Sequence, residues 1–238
     1  VKIPHGHLWR LVWIAFIAAT LQYGLTFSGL ARMDATPAVL LVQSEVIFGV
    51  IIAAVFLGEK PSLRQTIGIG MAVLGVVIIL GAPELGGQTI GISLVLLGAF
   101  VWALGQVLIR RFQGALSGFQ LTAWLGVMSA PQMLLASCVL DGNPIPKIMA
   151  APHEAWLTVI YLALVMTVVG YSSWYYLLAR YPVPMVLPVL LLLPVAAIFG
   201  AVTLLDEVLD PVVLTGGAVV IFGVGAVVIE PSHLRNWW

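Results

Sequence analysis

Thr36-Pro37-Ala38-Val39-Leu40-Leu41-Val42-Gln43-Ser44-Glu45-Val46-Ile47-Phe48-Gly49-Val50-Ile51-Ile52-Ala53-Ala54-Val55-Phe56-Leu57-Gly58-Glu59-Lys60 is apolar from Pro37 to Leu57. That run is long enough to cross a bilayer as a helix. Gln43-Ser44-Glu45 sets it apart, because it places a carboxylate where hydrocarbon is expected. Burying such a group in mid-span costs on the order of 3 kcal/mol, so Glu45 is expected to face the interior of a helix bundle.

The rest of the chain has the same character. Of 238 residues, 61% are hydrophobic and 8% charged, and the mean hydropathy is +1.11. A soluble domain carries roughly 25% charged residues; this chain has too few to coat a globule and reads as an integral membrane protein. Its apolar runs are continuous rather than alternating, which specifies helices and not a barrel. The zero formal net charge gives no reason to expect a nucleic-acid partner. The single cysteine, Cys138, excludes an internal disulfide and a multi-cysteine metal site. The four histidines (His5, His7, His153, His233) fall outside the apolar runs. No metal site, cofactor or catalytic residue is expected. A membrane-embedded enzyme needs a nucleophile with a base beside it, and the spans hold no histidine, no cysteine pair and no Gly-x-Ser-x-Gly. Lys2 to Arg10 is followed by no cleavage pattern, so a signal peptide is not expected.

Eight spans are predicted: Leu8–Leu30, Pro37–Leu57, Leu63–Gly81, Ile90–Ile109, Gly118–Leu140, Ala155–Ala179, Val183–Leu205 and Pro211–Ile229. Pro37, Pro61, Pro184 and Pro211 sit at span starts, where a missing N–H costs little. Pro131, Pro188 and Pro194 fall inside spans and are expected to kink or break them. Asp141 to Glu154 reads as an ordered surface loop. With the N-terminus cytoplasmic, the inner side holds Lys2, Arg10, Lys60, Arg64, Arg110, Arg111, Arg180 and Arg235, and the outer side only Arg32 and Lys147. That bias places both termini in the cytoplasm. Trp9, Trp156, Trp237 and Trp238 are placed to act as interface anchors.

An internal repeat organises these spans. Glu59 placed on Glu207 gives an offset of 207 − 59 = 148 residues. Without a gap, Tyr23 then falls on Tyr171, Leu30-Ala31-Arg32 on Leu178-Ala179-Arg180, and Gly68 and Gly75 on Gly216 and Gly223. An odd number of crossings separates equivalent points, so the copies face opposite ways. Inverted repeats of this kind build secondary transporters, with the site at mid-membrane between the halves. The division expected is residues 1–81, the last three helices of a first repeat, and 88–230, the five helices of a second.

These features resemble the EamA-type exporters of the drug/metabolite transporter superfamily. The residues that carry the resemblance are Phe56-Leu57-Gly58-Glu59 and Leu204-Leu205-Asp206-Glu207, each before a Gly-rich span, together with Gly98-Ala99-Phe100-Val101-Trp102-Ala103 and Pro194-Val195. Tyr161-Leu162-Ala163, Val169-Gly170-Tyr171, Trp174 and Val139-Leu140-Asp141-Gly142 look like the cysteine and O-acetylserine exporter branch. The resemblance implies an all-α membrane bundle of five plus five helices, of which this chain matches the third to the tenth. It implies export of small, amino-acid-like metabolites across the bacterial inner membrane by alternating access. A truncated or non-transporting subunit that takes two helices from a partner is the alternative. The branch usually has Gln at the position of Glu45, so the carboxylate is a departure. The expected partners are a small-molecule substrate and lipid; a homodimer is left open.

Candidate substrate-binding residues follow. Glu45 is assigned to proton coupling or to a substrate amine, against a structural, hydrogen-bonded carboxyl. Gln43 lies about 200° around the helix from Glu45, so both face a cavity only if the helix unwinds locally; its other role is interhelical bonding. Trp102 and Gln106 share a face one turn apart, and Tyr171, Trp174 and Tyr175 form a second aromatic face with Thr167 a turn earlier. Such a wall suits a small zwitterion or a cation, although an interfacial aromatic belt has the same composition. Gln22 with Thr26 makes a weaker pair. Glu59 and Glu207, at span ends, are assigned to capping or pairing rather than chemistry.

Overall fold

The computed structural model describes residues 8–33, 35–80, 88–112, 116–140, 142–196, 199 and 211–229. Lys2, His5, His7, Asp141, the Leu204 to Glu207 pattern, His233, Arg235, Trp237 and Trp238 lie outside them. The described elements are all helical: α1 (Leu8–Leu30), α2 (Ala35–Val42), α3 (Ser44–Phe56), α4 (Leu63–Leu80), α5 (Thr89–Phe112), α6 (Gly118–Leu140), the short α7 (Ile145–Met149), α8 (His153–Arg180), α9 (Val183–Ala196) and α10 (Pro211–Val228). The eight expected spans are present, the second as the pair α2–α3 and the seventh followed to Ala196. Leu8–Leu30, Thr89–Arg111, Gly118–Leu140 and His153–Arg180 are each long and apolar enough to cross a membrane unaided. The molecule is a multi-pass membrane bundle.

Local chemistry sets the ends. Ser62 opens α4 with a reciprocal capping box: the Gln65 amide N–H donates to Ser62 Oγ at 3.2 Å, and Ser62 N–H donates to Gln65 Oε1 at 2.9 Å. Ser117 and Gln120 repeat it at the start of α6: Gln120 N–H donates to Ser117 Oγ at 3.3 Å, and Ser117 N–H to Gln120 Oε1 at 3.0 Å. Gly58, at φ 72°, closes α3 in the left-handed conformation, and Glu59 N–H turns back to the Ala53 carbonyl at 3.3 Å. Pro131 does not break α6, which runs helical from Gly118 to Leu140. Pro188 does alter α9: Leu187–Leu192 tightens into a 3-10 helix, because proline supplies no N–H for the α-helical bond.

Packing follows the repeat. α4 and α10 pair antiparallel. A Cβ on Gly68 would meet the Gly223 carbonyl at 2.6 Å, and one on Gly75 would meet the Gly216 carbonyl at 2.7 Å. Gly68 and Gly216 are equivalent positions, as are Gly75 and Gly223, so the seam is two-fold symmetric within one chain. Small residues allow the backbones this approach, and close packing holds helices together where lipid removes the hydrophobic drive. The core between the halves includes Val46, Val50, Ala53, Val76, Ala103, Val107, Leu187, Leu191 and Val220, all buried.

Candidate functional site

Two kinds of helix distortion recur at equivalent places. In α1 the segment Phe16–Leu21 is a π-helix; in α8 the π segment is Leu162–Tyr171. The 148-residue offset carries the first into the second. Thr167 Oγ1 donates to the Leu162 carbonyl five residues back, at 3.0 Å, which is the π spacing. Between α2 and α3 the helix is interrupted at Gln43, and its equivalent, Leu191, lies in the 3-10 segment of α9. No proline acts at Gln43. Ser44 Oγ donates to the Leu41 carbonyl at 2.6 Å, and Val46 N–H donates to the Gln43 carbonyl at 3.2 Å. A hydroxyl taking up a backbone acceptor bends a helix in this way. π segments and broken helices concentrate at functional sites.

These segments converge on a cavity of about 700 Å³ lined by Tyr23, Phe27, Glu45, Trp102, Met133, Leu162, Met166, Thr167, Gly170, Tyr171, Trp174, Leu190 and Leu193. Glu45 is 8% exposed. Apart from Thr167, its neighbours in the lining are aromatic or apolar residues, and it is the one charged residue among the described lining residues. Tyr23 and Tyr171, the repeat-equivalent pair, join hydroxyls at 3.2 Å. Tyr23 stacks on Phe27 with centroids 5.5 Å apart, and the Tyr171 and Tyr175 rings lie 5.7 Å apart. The Trp102 and Trp174 rings are 6.3 Å apart. Trp174 Nε1 donates to Gln106 Oε1 at 2.8 Å, which fixes the indole plane. A second cavity of about 380 Å³ shares Tyr23, Phe27 and Met133 and extends along α1 and α6 to Arg32 and Leu140.

Of the expected site residues, Glu45, Trp102, Tyr171 and Trp174 come together in the lining. Gln106 stands behind it, fully buried, as the anchor of Trp174. Gln22 is placed elsewhere: its Nε2 donates to Thr26 Oγ1 at 3.1 Å, and Thr26 packs on Gly98 of α5. Gln43 is buried outside the lining, and its amide nitrogen has no hydrogen-bond partner among the described residues. Tyr23, Phe27, Met133 and the α9 leucines join the lining without being expected there. Tyr23 carries a signal in the sequence, as the repeat mate of Tyr171. Phe27 and Met133 carry none, being ordinary apolar residues of a span.

At the other end of the bundle the halves are tied together. Glu59 Oε1 accepts from Arg110 Nε at 3.2 Å, and its Oε2 accepts from Val183 N–H at 2.6 Å. Arg110 also donates to the Leu178 and Ala179 carbonyls, each at 2.8 Å. One carboxylate thus caps the N-terminus of α9, and one guanidinium caps the C-terminus of α8. This is the capping role expected of Glu59.

Comparison with known proteins agrees with this architecture. The model of the EamA-like transporter family matches residues 1–81 and 89–229. A "probable amino-acid metabolite efflux pump" of Escherichia coli is 30% identical over 217 residues, which are 88% of this chain and 70% of that protein. A "probable terminal-alkyne amino-acid exporter" of Streptantibioticus cattleyicolor is 30% identical, over 82% of this chain and 65% of that protein. A solved crystal structure superposes with a TM-score of 0.75 at 17% identity, over 92% of this chain and 75% of its own, a likeness of fold. By repeat, bundle and family match, the chain belongs to the EamA-like transporter family, whose members are transporters and not enzymes.

Proposed function

We propose that the protein is a secondary transporter that exports small, amino-acid-like metabolites across the bacterial inner membrane. The observation that carries the reading is the aromatic cavity holding Glu45, built from equivalent distorted helices of two inverted repeats. The repeats are residues 1–81 and 88–230, with both termini cytoplasmic by the Lys and Arg distribution. In that orientation the Glu59–Arg110 contacts hold the cytoplasmic side together. The cavities reach toward Arg32 on the outer side. The arrangement is the outward-facing half of an alternating-access cycle. Glu45, Trp102, Tyr171 and Trp174 contact the substrate, joined by Tyr23; Gln106 positions Trp174. Gln43 and Gln22 support the helix break and the α1–α5 contact. Glu45 also exchanges a proton with the aqueous cavity. The names of the relatives support the substrate class.

Flux of radiolabelled amino-acid metabolites in proteoliposomes tests this. Saturable flux that responds to an imposed pH gradient is expected. Absence of flux for the whole panel, with and without the gradient, overturns the reading.

A further inference from the structure

Two kinds of contact hold the bundle together. α4 meets α10, and α5 meets α1, backbone against backbone: a Cβ on Gly105 would lie 2.8 Å from the Ala18 Cβ, and one on Gly91 would lie 2.8 Å from the Arg32 carbonyl. Seams this close leave no room for sliding and make each pair a rigid unit. The corner between α8 and α9, at Tyr181-Pro182, is gripped by side chains instead. Arg110 reaches it from the end of α5 and donates to the Leu178 and Ala179 carbonyls, each at 2.8 Å. Glu59 reaches it from the turn after α3, accepting from Val183 N–H at 2.6 Å and from Arg110 Nε at 3.2 Å. Behind the pair, Ile109, Leu178, Val183 and Leu187 are fully buried. Along α9, Val183 lies at the pair, Leu187 packs on Gly49 one turn on, and Leu190 is already in the cavity lining. The ion pair therefore stands two helical turns below the cavity that holds Glu45.

The repeat shows the same corner in a second setting. The 148-residue offset carries Leu178–Val183 onto Leu30–Ala35 on the outer side, where the second cavity opens beside Ala31 and Arg32. Equivalent corners thus differ within one structure: the inner one is clamped, and the outer one borders a cavity. Inverted repeats make two such arrangements interchangeable, and exchanging them moves the opening to the other face of the membrane. We propose that Glu59 and Arg110 form the latch of the cytoplasmic gate, an inference that rests on the proposed transport function. The pair holds the α8–α9 corner against α3 and α5 while the cavity is open outward. Its release frees the corner to swing away and opens the cavity to the cytoplasm. The chemistry suits a contact that breaks and re-forms in each cycle. The two side chains are 21% and 20% exposed, so water takes over their hydrogen bonds on release. The glycine seams have no such substitute and stay closed.

The test is electron–electron resonance distance measurement on the full chain in lipid nanodiscs, in a Cys138→Ser background because Cys138 is exposed. One pair of spin labels, at Arg64→Cys and Tyr181→Cys, reads the cytoplasmic side. Their repeat mates, at Val212→Cys and Met33→Cys, read the outer side. With the latch intact, the inner pair is expected to give one dominant short distance. In Glu59→Ala and in Arg110→Gln, the fraction of molecules with a longer inner distance is expected to rise roughly threefold or more. The outer pair is expected to shorten in the same fraction. Glu59→Gln, which keeps an acceptor for Val183 N–H, is expected to fall between, and serves where Glu59→Ala does not fold. Thermal melting of each variant checks its fold. Inner distances unchanged in the folded variants overturn the inference, as does an inner pair that lengthens while the outer pair stays as it was, which is local fraying of the corner. Metabolite flux through the same variants in proteoliposomes separates the two readings. Distances that exchange without any flux remove transport and leave the latch standing, whereas flux with unaltered distances removes the latch and leaves transport standing.

Discussion

Tyr23 and Tyr171 are 148 residues apart and place their hydroxyls 3.2 Å from one another at the cavity wall. The same offset relates Gly68 to Gly216 and Gly75 to Gly223. The two tyrosines therefore sit on, or close to, the axis that exchanges the repeats, where a residue meets its own equivalent. A hydrogen bond on that axis ties α1 to α8 at the cavity. Each hydroxyl serves the same bond, so removing either removes it. Tyr23→Phe and Tyr171→Phe are each expected to cost about 1 kcal/mol. The double variant is expected to cost little more than either alone, and thermal melting through a double-mutant cycle measures the coupling. Additive losses would mean that the hydroxyls act separately.

The α4–α10 seam makes a second prediction. Gly223 faces the Gly68 carbonyl, and a Cβ there would lie 2.6 Å from it, with backbone rather than a flexible side chain in the way. Gly223→Ala forces the helices apart and is expected to cost about 1–3 kcal/mol. Gly70, on the same helix as Gly68, has open space where a Cβ would stand, with nothing within 4 Å. Gly70→Ala is expected to be neutral or slightly stabilising through helix propensity. Melting temperatures in detergent, read by size-exclusion fluorescence, compare the two.

The spans, the repeat and the carboxylate are legible in the sequence because each is a matter of residue type along the chain. Apolar runs mark the spans whatever they pack against. What periodicity does not carry is which neighbour a face meets. Gln22 reads as a cavity residue by type and depth, yet its amide is taken up by Thr26 on the face that packs on α5. The break at Gln43 is a condition the sequence raises and does not decide, because it depends on Ser44 taking the Leu41 carbonyl. The two π segments leave no mark in composition. Phe27 and Met133 enter the lining only through the way α1 and α6 pack around the cavity.

The Glu59 contacts predict a graded loss. Glu59→Ala leaves Val183 N–H and the Arg110 Nε without their acceptor, and both lie in partly buried surroundings, with the side chains of the ion pair 21% and 20% exposed. A loss of about 1–3 kcal/mol is expected for groups stranded in this way. Glu59→Gln keeps one oxygen as an acceptor for Val183 and is expected to lose less. Because the pair is largely shielded from solvent, raising salt is expected to narrow the difference only in part. Unfolding monitored at two ionic strengths reads both effects. Equal melting of the two variants would show that the α9 cap contributes nothing.

Glu45 carries the last prediction, and its sign follows from occupancy. Under the proposed function the Glu45 carboxylate takes up either a proton or the amine of a substrate, one at a time, as the single charged residue of the described lining. Raising the pH on the side open to the cavity would then empty it of protons, so binding of a substrate through its amine is expected to rise with pH and to level off once Glu45 is ionised. On that reading a pH gradient across the membrane is expected to drive exchange of protons for substrate. Glu45→Gln removes the titrating group while keeping the shape and a hydrogen-bonding head. The variant is expected to insert and melt normally, to transport at a rate independent of the gradient, and to lose the pH dependence of binding. Flux in proteoliposomes with and without an imposed gradient measures this. Gradient-driven flux that is unchanged in Glu45→Gln would place proton coupling elsewhere in the chain and leave Glu45 a structural carboxyl.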